Sequence, residues 1–299
     1  MKIKCPKCQT QFRSSDNKRN LIFKFGSFYR SSDRKQVQRF YCKPCTSHFS
    51  IATLSLNYRQ KKRQINHNVA RILVAGVSLR ECARVLNVNK KTVIRKFIFM
   101  GERAKLKLEK LNKKRSKVSV LEFDDLESFE QTKCKPLSVT LAVEHKTRWI
   151  LGYEVSQMPA KGLLSKLSVM KYGKREDKRT EGRHQLFERI QKYIAEGALI
   201  KSDQNPHYIK SLKMYFPKSN HIAYKGRDGC IVGQGELKKQ GFDPLFSLNH
   251  SCAMMRYRIS RLIRRTWNTT KKALRLSLHL ALMCLHHNLN LKNIPFSTI

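Results

Sequence analysis

Apolar and polar positions along the chain follow one rhythm up to about residue 117 and another beyond it. Leu21-Ile22-Phe23-Lys24-Phe25 and Gln38-Arg39-Phe40-Tyr41 are short β-prone runs. From Asn66 the spacing turns helical: Val69, Ile72 and Leu73 recur on one face, and Gly76 stops that helix. Ser78 followed by Glu81 predicts a capping box for a second helix carrying Cys82, Ala83, Val85 and Leu86. Asn87-Val88-Asn89 is the turn. Asn89 then caps a third helix, with Val93, Ile94 and Phe97 inward and Lys90, Lys91, Thr92, Arg95 and Lys96 outward. Glu102–Lys117 is charged and lacks a broad apolar face, which predicts a helical linker that also touches phosphate.

Beyond the linker the pattern becomes strand-like. Val118, Val120, Leu121 and Phe123 predict a buried strand leading into Asp124-Asp125. Pro136–Glu144 and Trp149–Val155 read as two further strands joined by the turn His145–Arg148. Arg175–Glu196 carries Leu186, Phe187, Ile190, Tyr193 and Ile194 on one face of a long helix. Ala198–Ser202 is a fourth strand running into Asp203, and His221–Tyr224 a fifth. A later helix turns Met255, Ile259 and Leu262 inward, ringed by Arg256, Arg258, Arg261, Arg264 and Arg265. The Leu-rich stretch Lys271–Asn290 closes the core or supports self-association, and Trp149 and Trp267 read as core residues. Three strands, a helix and a further strand ending in an acid is the order of the RNase H-like nuclease core, in which the first and fourth strands lie side by side.

Charge narrows the partners. Sixty-two Lys and Arg against 21 Asp and Glu give +41 over 299 residues. Such a surface attracts polyanions, so nucleic acid is the leading partner, and a short helix, a polar turn and a basic second helix are the parts of a major-groove reader. An anionic membrane is the other candidate for this charge, but no amphipathic anchor or polybasic tail stands apart. No run approaches the ~18 apolar residues of a membrane span, and no signal-peptide core begins the chain. The expectation is an intracellular protein, cytoplasmic and nucleoid-associated, with no membrane partner.

Nine cysteines then read as thiols or metal ligands rather than disulfides. Cys5-Pro-Lys-Cys8 and Cys42-Lys-Pro-Cys45 are two knuckles whose four thiolates close a tetrahedral Zn²⁺ site, a zinc ribbon. Cys82, Cys134, Cys230, Cys252 and Cys284 read as small core residues or incidental thiols.

Against this basic background, Glu122–Glu130 (EFDDLESFE) holds five of the 21 acidic residues. Acids elsewhere would repel a polyanion. Acids at Asp124 and Asp203, converging from two neighbouring strands, would hold Mg²⁺ ions ~3.5–4 Å apart. Strand alternation does not choose between Asp124 and Asp125, because a central strand is buried on both faces.

The CPKC and CKPC pairs, FDDLESF, IKSDQNPHY and SLNHSCAMMRYRISRLIRRTWN resemble DDE-type insertion-sequence transposases, in the insertion-sequence-one-like group with N-terminal CxxC pairs. The resemblance covers essentially the whole chain. It implies an α/β multidomain protein: a zinc ribbon at 1–58, an all-α helix-turn-helix domain at 59–100, a basic linker at 101–117, and an RNase H-like mixed-sheet catalytic domain at 118–299. It implies a DNA transposase that binds terminal inverted repeats and catalyses metal-dependent strand cleavage and strand transfer, with Mg²⁺ or Mn²⁺ on Asp124 and Asp203. It also implies a dimer or larger synapse on double-stranded DNA. The family's third ligand usually lies seven residues before a basic residue. Counting back from Arg256 gives Asn249, where Glu is absent. Asn249 is the first choice, His250 the second and Glu236 the third. Arg256, Arg261, Arg264 and Arg265 join Lys90, Lys91, Thr92, Arg95 and Lys96 as expected DNA contacts, and Trp267 is a candidate for stacking on an opened DNA end. The absent Glu keeps a second reading open: a DNA-binding regulator or an inactive remnant.

Overall fold

The computed structural model describes residues 3–12, 21–55, 57–226, 230–231, 234–238, 241–263 and 267–296, with backbone alone for 230–231 and 234–238. The chain divides into two compact units at Asn66.

In the first unit β1 (Ile22–Arg30), β2 (Lys35–Cys42) and β3 (Ser47–Ser50) form an antiparallel sheet in that order. Opposed residues share a face. Ile22, Cys42 and Ser47 lie on one side, and Phe23, Tyr41 and His48 on the other. The inner side packs Ile22, Phe40 and Phe49 around Cys5 and Cys42, a very small core. Ser50 caps the short α1 (Ile51–Leu54) reciprocally with Thr53, each hydroxyl accepting from the other's backbone N–H at 3.3 Å.

The second unit opens with α2 (Asn66–Val74), α3 (Leu79–Val85) and α4 (Lys90–Asn112). The caps fall where the sequence predicts them. Ser78 Oγ accepts from Glu81 N at 3.2 Å, and Asn89 Oδ1 accepts from Lys91 N at 2.8 Å. Only half of the expected capping box forms, because the Glu81 carboxylate takes Arg84 instead. The expected linker is not a separate segment: α4 runs unbroken from the third-helix position through residue 112. Its buried stripe of Phe97, Gly101, Ala104 and Leu108 is made of small and apolar residues at helical spacing, too narrow to read as an apolar face. That stripe meets a later helix, Ala273–Leu291, and Gly101 permits the close approach. A Cβ at 101 would stand 2.7 Å from Leu278 Cβ. Gly101→Ala is therefore expected to destabilise the chain by about 1–3 kcal/mol, although Ala is the better helix former, and urea denaturation checks it.

Five strands follow: β4 (Val118–Phe129), β5 (Pro136–Glu144), β6 (Ile150–Gln157), β7 (Ile194–Asp203) and β8 (Asn220–Tyr224). Their order is β6-β5-β4-β7-β8, with β4–β5 and β5–β6 antiparallel and β4–β7 and β7–β8 parallel. This five-stranded mixed sheet has the strand order expected of the RNase H-like core. The first strand does not end at Asp124-Asp125: β4 continues to Phe129, paired with β5 from Leu121 onward. Between the strands lie α5 (Leu164–Tyr172), α6 (Arg179–Ile190) and α7 (Pro206–Tyr215). The long helix expected over 175–196 is shorter, because Ile194 already belongs to β7. Phe123, Leu186, Phe187, Ile200, Tyr208 and Leu212 form the core on the α6/α7 side of the sheet.

Three short strands, β9 (Cys230–Ile231), β10 (Gln234–Lys238) and β11 (Gly241–Phe242), precede α8 (Phe246–Arg258) and α9 (Ala273–Leu291). Residues Leu276–Leu285 of α9 are all buried, as a helix between α4 and the sheet edge requires. Asn288 completes that edge, accepting from Ile150 N at 3.0 Å and donating to Ile150 O at 2.9 Å. Trp149 is core as expected, its indole donating to Asn112 Oδ1 at 2.8 Å. Trp267 is not: its side chain is fully exposed, at 101%. Among the described residues no helix is long and apolar enough to cross a membrane.

Candidate active site

Two constellations carry chemistry, one in each unit. In the first, the Sγ atoms of Cys5, Cys8, Cys42 and Cys45 all lie within 4.8 Å of one another. Hydroxyls attend them: Ser47 Oγ is 2.9 Å from Cys45 Sγ and Thr10 Oγ1 is 3.1 Å from Cys8 Sγ. Burial pushes the Cys5 thiol up, but Ser47 and local backbone N–H groups more than offset it and bring it to about 6. Burial, with the neighbouring sulfurs, pushes the Cys42 thiol the other way, up to about 12. Four sulfurs clustered at this range fit a closed structural Zn²⁺ site.

The second constellation starts from strand register. β4 and β7 run parallel with Glu122 beside Lys201, so two residues further on Asp124 and Asp203 come level, 79 positions apart in sequence. Both open into a cavity of about 500 Å³ lined also by Asp125, Glu127, Lys161, Arg179, Asn205, Tyr208 and Arg256. Burial, then the Asp203 charge, raises Asp124 from 3.8 to about 7. Burial likewise raises Asp203, with Asp125 adding to it. Tyr208 donates its hydroxyl to Asp124 Oδ1 at 3.1 Å. Asp125 is engaged differently, accepting from Thr140 Oγ1, with the Arg183 and Arg179 guanidiniums near it. The two neighbours that alternation alone left equivalent thus occupy distinct environments.

Tyr208 arrives by local rules. Asn205 Oδ1 accepts from His207 N at 3.1 Å, Pro206 takes the first helical position, and α7 starts there, directly after Asp203. The Asn205-Pro206 pair was a legible helix start that the strand-centred reading passed over. Glu122 was also missed. It is fully buried, hydrogen-bonds His145 Nδ1, and accepts from Leu248 N in α8 at 2.8 Å. It ties α8 to the strand that carries Asp124. No local signal marks a contact across 126 residues.

Along α8, burial and then the Asp124 charge push the half-buried Cys252 thiol up to about 12. Arg256, one turn on, lines the cavity. Asn249 shares their side of the helix, and its amide donates to Asp243 Oδ2 at 2.7 Å. His250, the next residue round the helix, faces other partners, with Nε2 3.2 Å from Arg148 and its ring against Phe246. Burial and Arg148 lower its pKa. Neither Asn249 nor His250 is among the residues that line the carboxylate cavity. The Glu236 side chain lies outside the described residues, as do Arg264 and Arg265.

Of the expected DNA contacts, Lys90, Lys91 and Arg95 are exposed and Thr92 is half-buried. Lys96 differs: it is only 5% exposed, because it falls three residues after Val93 and four before Met100, on the inner stripe of α4. Arg261 is half-buried over the Phe97 ring, 5.9 Å away, and burial brings its pKa to about 10. α8 itself ends at Arg258, and Arg261 lies in a separate short turn, so it does not continue the helical face of Arg256 and Arg258.

No protein-family model matches the chain, and no curated protein matches it in sequence. Among solved structures it is similar to the catalytic domain of Mos1 mariner transposase, with 9% identity over 66% of this chain and 94% of that one, at a TM-score of 0.26. It is similar also to the Mos1 strand transfer complex, with 8% identity over 75% and 77% of the two chains, at a TM-score of 0.25.

Proposed function

We propose that the chain is a DNA transposase of the insertion-sequence type, which binds the terminal inverted repeats of its element, cleaves their ends and transfers the strands to target DNA. The observation that carries this reading is the pairing of Asp124 with Asp203 on adjacent parallel strands, in an open cavity of a chain with net charge +41. Asp124 and Asp203 would hold Mg²⁺ or Mn²⁺. Half-burial and repulsion from neighbouring carboxylates make both hold a proton more tightly unless a cation takes its place, so the raised Asp124 pKa supports that role. Such cations supply Lewis acidity to the attacking and leaving oxygens of phosphoryl transfer. Tyr208 fixes one oxygen of Asp124, while Lys161, Arg179 and Arg256 at the rim position phosphates. Asn249 completes the ligand set from the Cys252 side of α8, its amide oxygen being a neutral hard donor. His250 is engaged by the Arg148 guanidinium, which favours Asn249 over it as the ligand.

Upstream, α3, its turn and α4 act as a helix-turn-helix, with Lys90, Lys91, Thr92 and Arg95 on the DNA and Lys96 supporting the helix from within. The four cysteines hold Zn²⁺ in a zinc ribbon. Two ends must be joined, so the working form is a dimer or larger synapse on nucleoid DNA in the cytoplasm.

A second reading, a DNA-binding regulator without chemistry, draws on one observation: the Asn249 amide is turned onto Asp243. Strand cleavage and joining on duplexes ending in the element's own repeats separates the two. Mg²⁺- or Mn²⁺-dependent products that disappear in Asp203→Ala and Asn249→Ala support the transposase. Wild-type protein that binds the ends, with a steep salt dependence, and never cuts them is a regulator.

Glu122 adds a positioning prediction. Glu122→Ala strips the partner from Leu248 N and His145 and is expected to lower metal-dependent cleavage about 10- to 100-fold. Glu122→Gln, which can accept from one and donate to the other, should restore most of it. A Mn²⁺ titration of cleavage rates reads both.

A further inference from the structure

The outer face of the first unit's sheet carries a cluster of rings that the small core behind it does not use. Register sets Phe23, Tyr41 and His48 side by side across β1, β2 and β3, and alternation adds Phe25 and Arg39. The rings touch. Phe25 lies 4.7 Å from His48 and 6.4 Å from Tyr41, Tyr41 lies 5.0 Å from His48, and the Arg39 guanidinium stands 6.0 Å over Phe25. Yet Phe23 and Phe25 remain 42% and 51% exposed, and His48 is exposed too. Apolar rings gathered on a solvent-facing sheet lose the stabilisation that burial would supply, so the cluster calls for a ligand rather than a folding role.

The ligand's chemistry follows from charge and shape. Residues 1–66 hold sixteen Lys and Arg against two Asp. Of those two, Asp33 is neutralised by Arg30. The ligand is therefore an anion. A ring platform takes up flat π-faces, and a duplex hides its base faces within the stack, showing only edges in its grooves. An unpaired strand offers both a polyanionic backbone and free base faces. Pairing this face with a second copy of itself would instead bring like charge onto like charge.

We propose that this sheet face binds an unpaired DNA strand, its bases stacked on Phe23, Phe25, Tyr41 and His48 with Arg39 beside them. This is a second mode of nucleic-acid binding, distinct from duplex recognition by α4. The ring geometry stands independently of the proposed transposase chemistry; only the choice of DNA over RNA rests on that reading.

The test uses the full chain without added divalent metal, so nothing is cut and a chain without strand-transfer chemistry still gives a readable answer. Affinities for a short fluorescent oligothymidylate, an oligouridylate and a duplex of equal length are measured across a salt series. Phe25→Ala and Tyr41→Ala are each expected to weaken oligothymidylate binding about tenfold and duplex binding by less than about twofold. The salt slope should not change, since no phosphate contact is removed. Phe25→Leu and Tyr41→Leu keep the face apolar and the sheet intact, and should lose nearly as much. Equal losses on single strand and duplex, or Leu variants that bind like wild type, overturn the stacking platform. Tighter binding of oligouridylate overturns the choice of DNA. Sedimentation that shows the variants losing self-association, with oligothymidylate binding intact, reassigns the face to a copy of this chain.

Discussion

Metal-free protein is expected to lose stability as pH rises from about 4 to 8, and Asp124→Asn to remove most of that loss. The sign follows from the site. Asp124 ionises near 3.8 in an ordinary environment and near 7 in the fold, because it is buried beside Asp203. A carboxyl raised in this way contributes stability below its unfolded pKa and loses it as pH climbs through the folded one. The full difference corresponds to about 4 kcal/mol in a sealed site. The cavity is open to water, so about 2 kcal/mol is expected. Burial raises Asp203 and Glu122 as well, with the same sign. Denaturation curves of wild type and Asp124→Asn should nearly coincide at pH 4, with the variant the more stable at pH 8. Mg²⁺ or Mn²⁺ at pH 8 should then raise the wild-type midpoint and leave Asp124→Asn unmoved. A difference that stays flat with pH, or a metal response shared by both proteins, would show that Asp124 is neither strained nor a ligand.

The second large effect belongs to the cysteines. Chelation, or Cys42→Ser, is expected to unfold residues 1–66 while the second unit keeps its structure. The buried apolar side chains around the cluster are few, chiefly Ile22, Phe40 and Phe49, and the surface is strongly cationic. A structural Zn²⁺ contributes on the order of 10–16 kcal/mol in small domains, which exceeds what such a core supplies. Limited proteolysis should show new cuts confined to the first unit, and zinc released by a thiol reagent should approach one ion per chain. Protection that survives metal removal would show that the sheet stands without the ion.

Some of this architecture was legible because it obeys short-range rules. Ser78 and Asn89 announced two helix starts, since a side-chain oxygen reaches the free N–H groups one turn away and nowhere else. The CxxC pairs announced a cluster of four sulfurs because two residues between cysteines set a knuckle. Apolar runs ending in Asp124 and Asp203 announced two strands carrying acids. Lys96, Trp267 and the continuity of α4 were misread. A charged residue, an aromatic one and a stripe of Gly, Ala and Leu each take their burial from the neighbour that packs there, and residue type alone does not name that neighbour.

The sequence by itself determined the kinds of element, their order, the four cysteines that cluster and the two acids worth watching, because caps, periodicity and knuckle spacing act within a few residues. Tertiary structure decided which groups meet. The β4–β7 register brings Asp124 level with Asp203, Tyr208 reaches Asp124 from α7, and Glu122 grips α8 across 126 residues. It also gave Asp124 and Asp125 different hydrogen-bond partners, and did the same for Asn249 and His250. Adjacent residues on a strand or a helix point to different surroundings, and only the packing on each side distinguishes them.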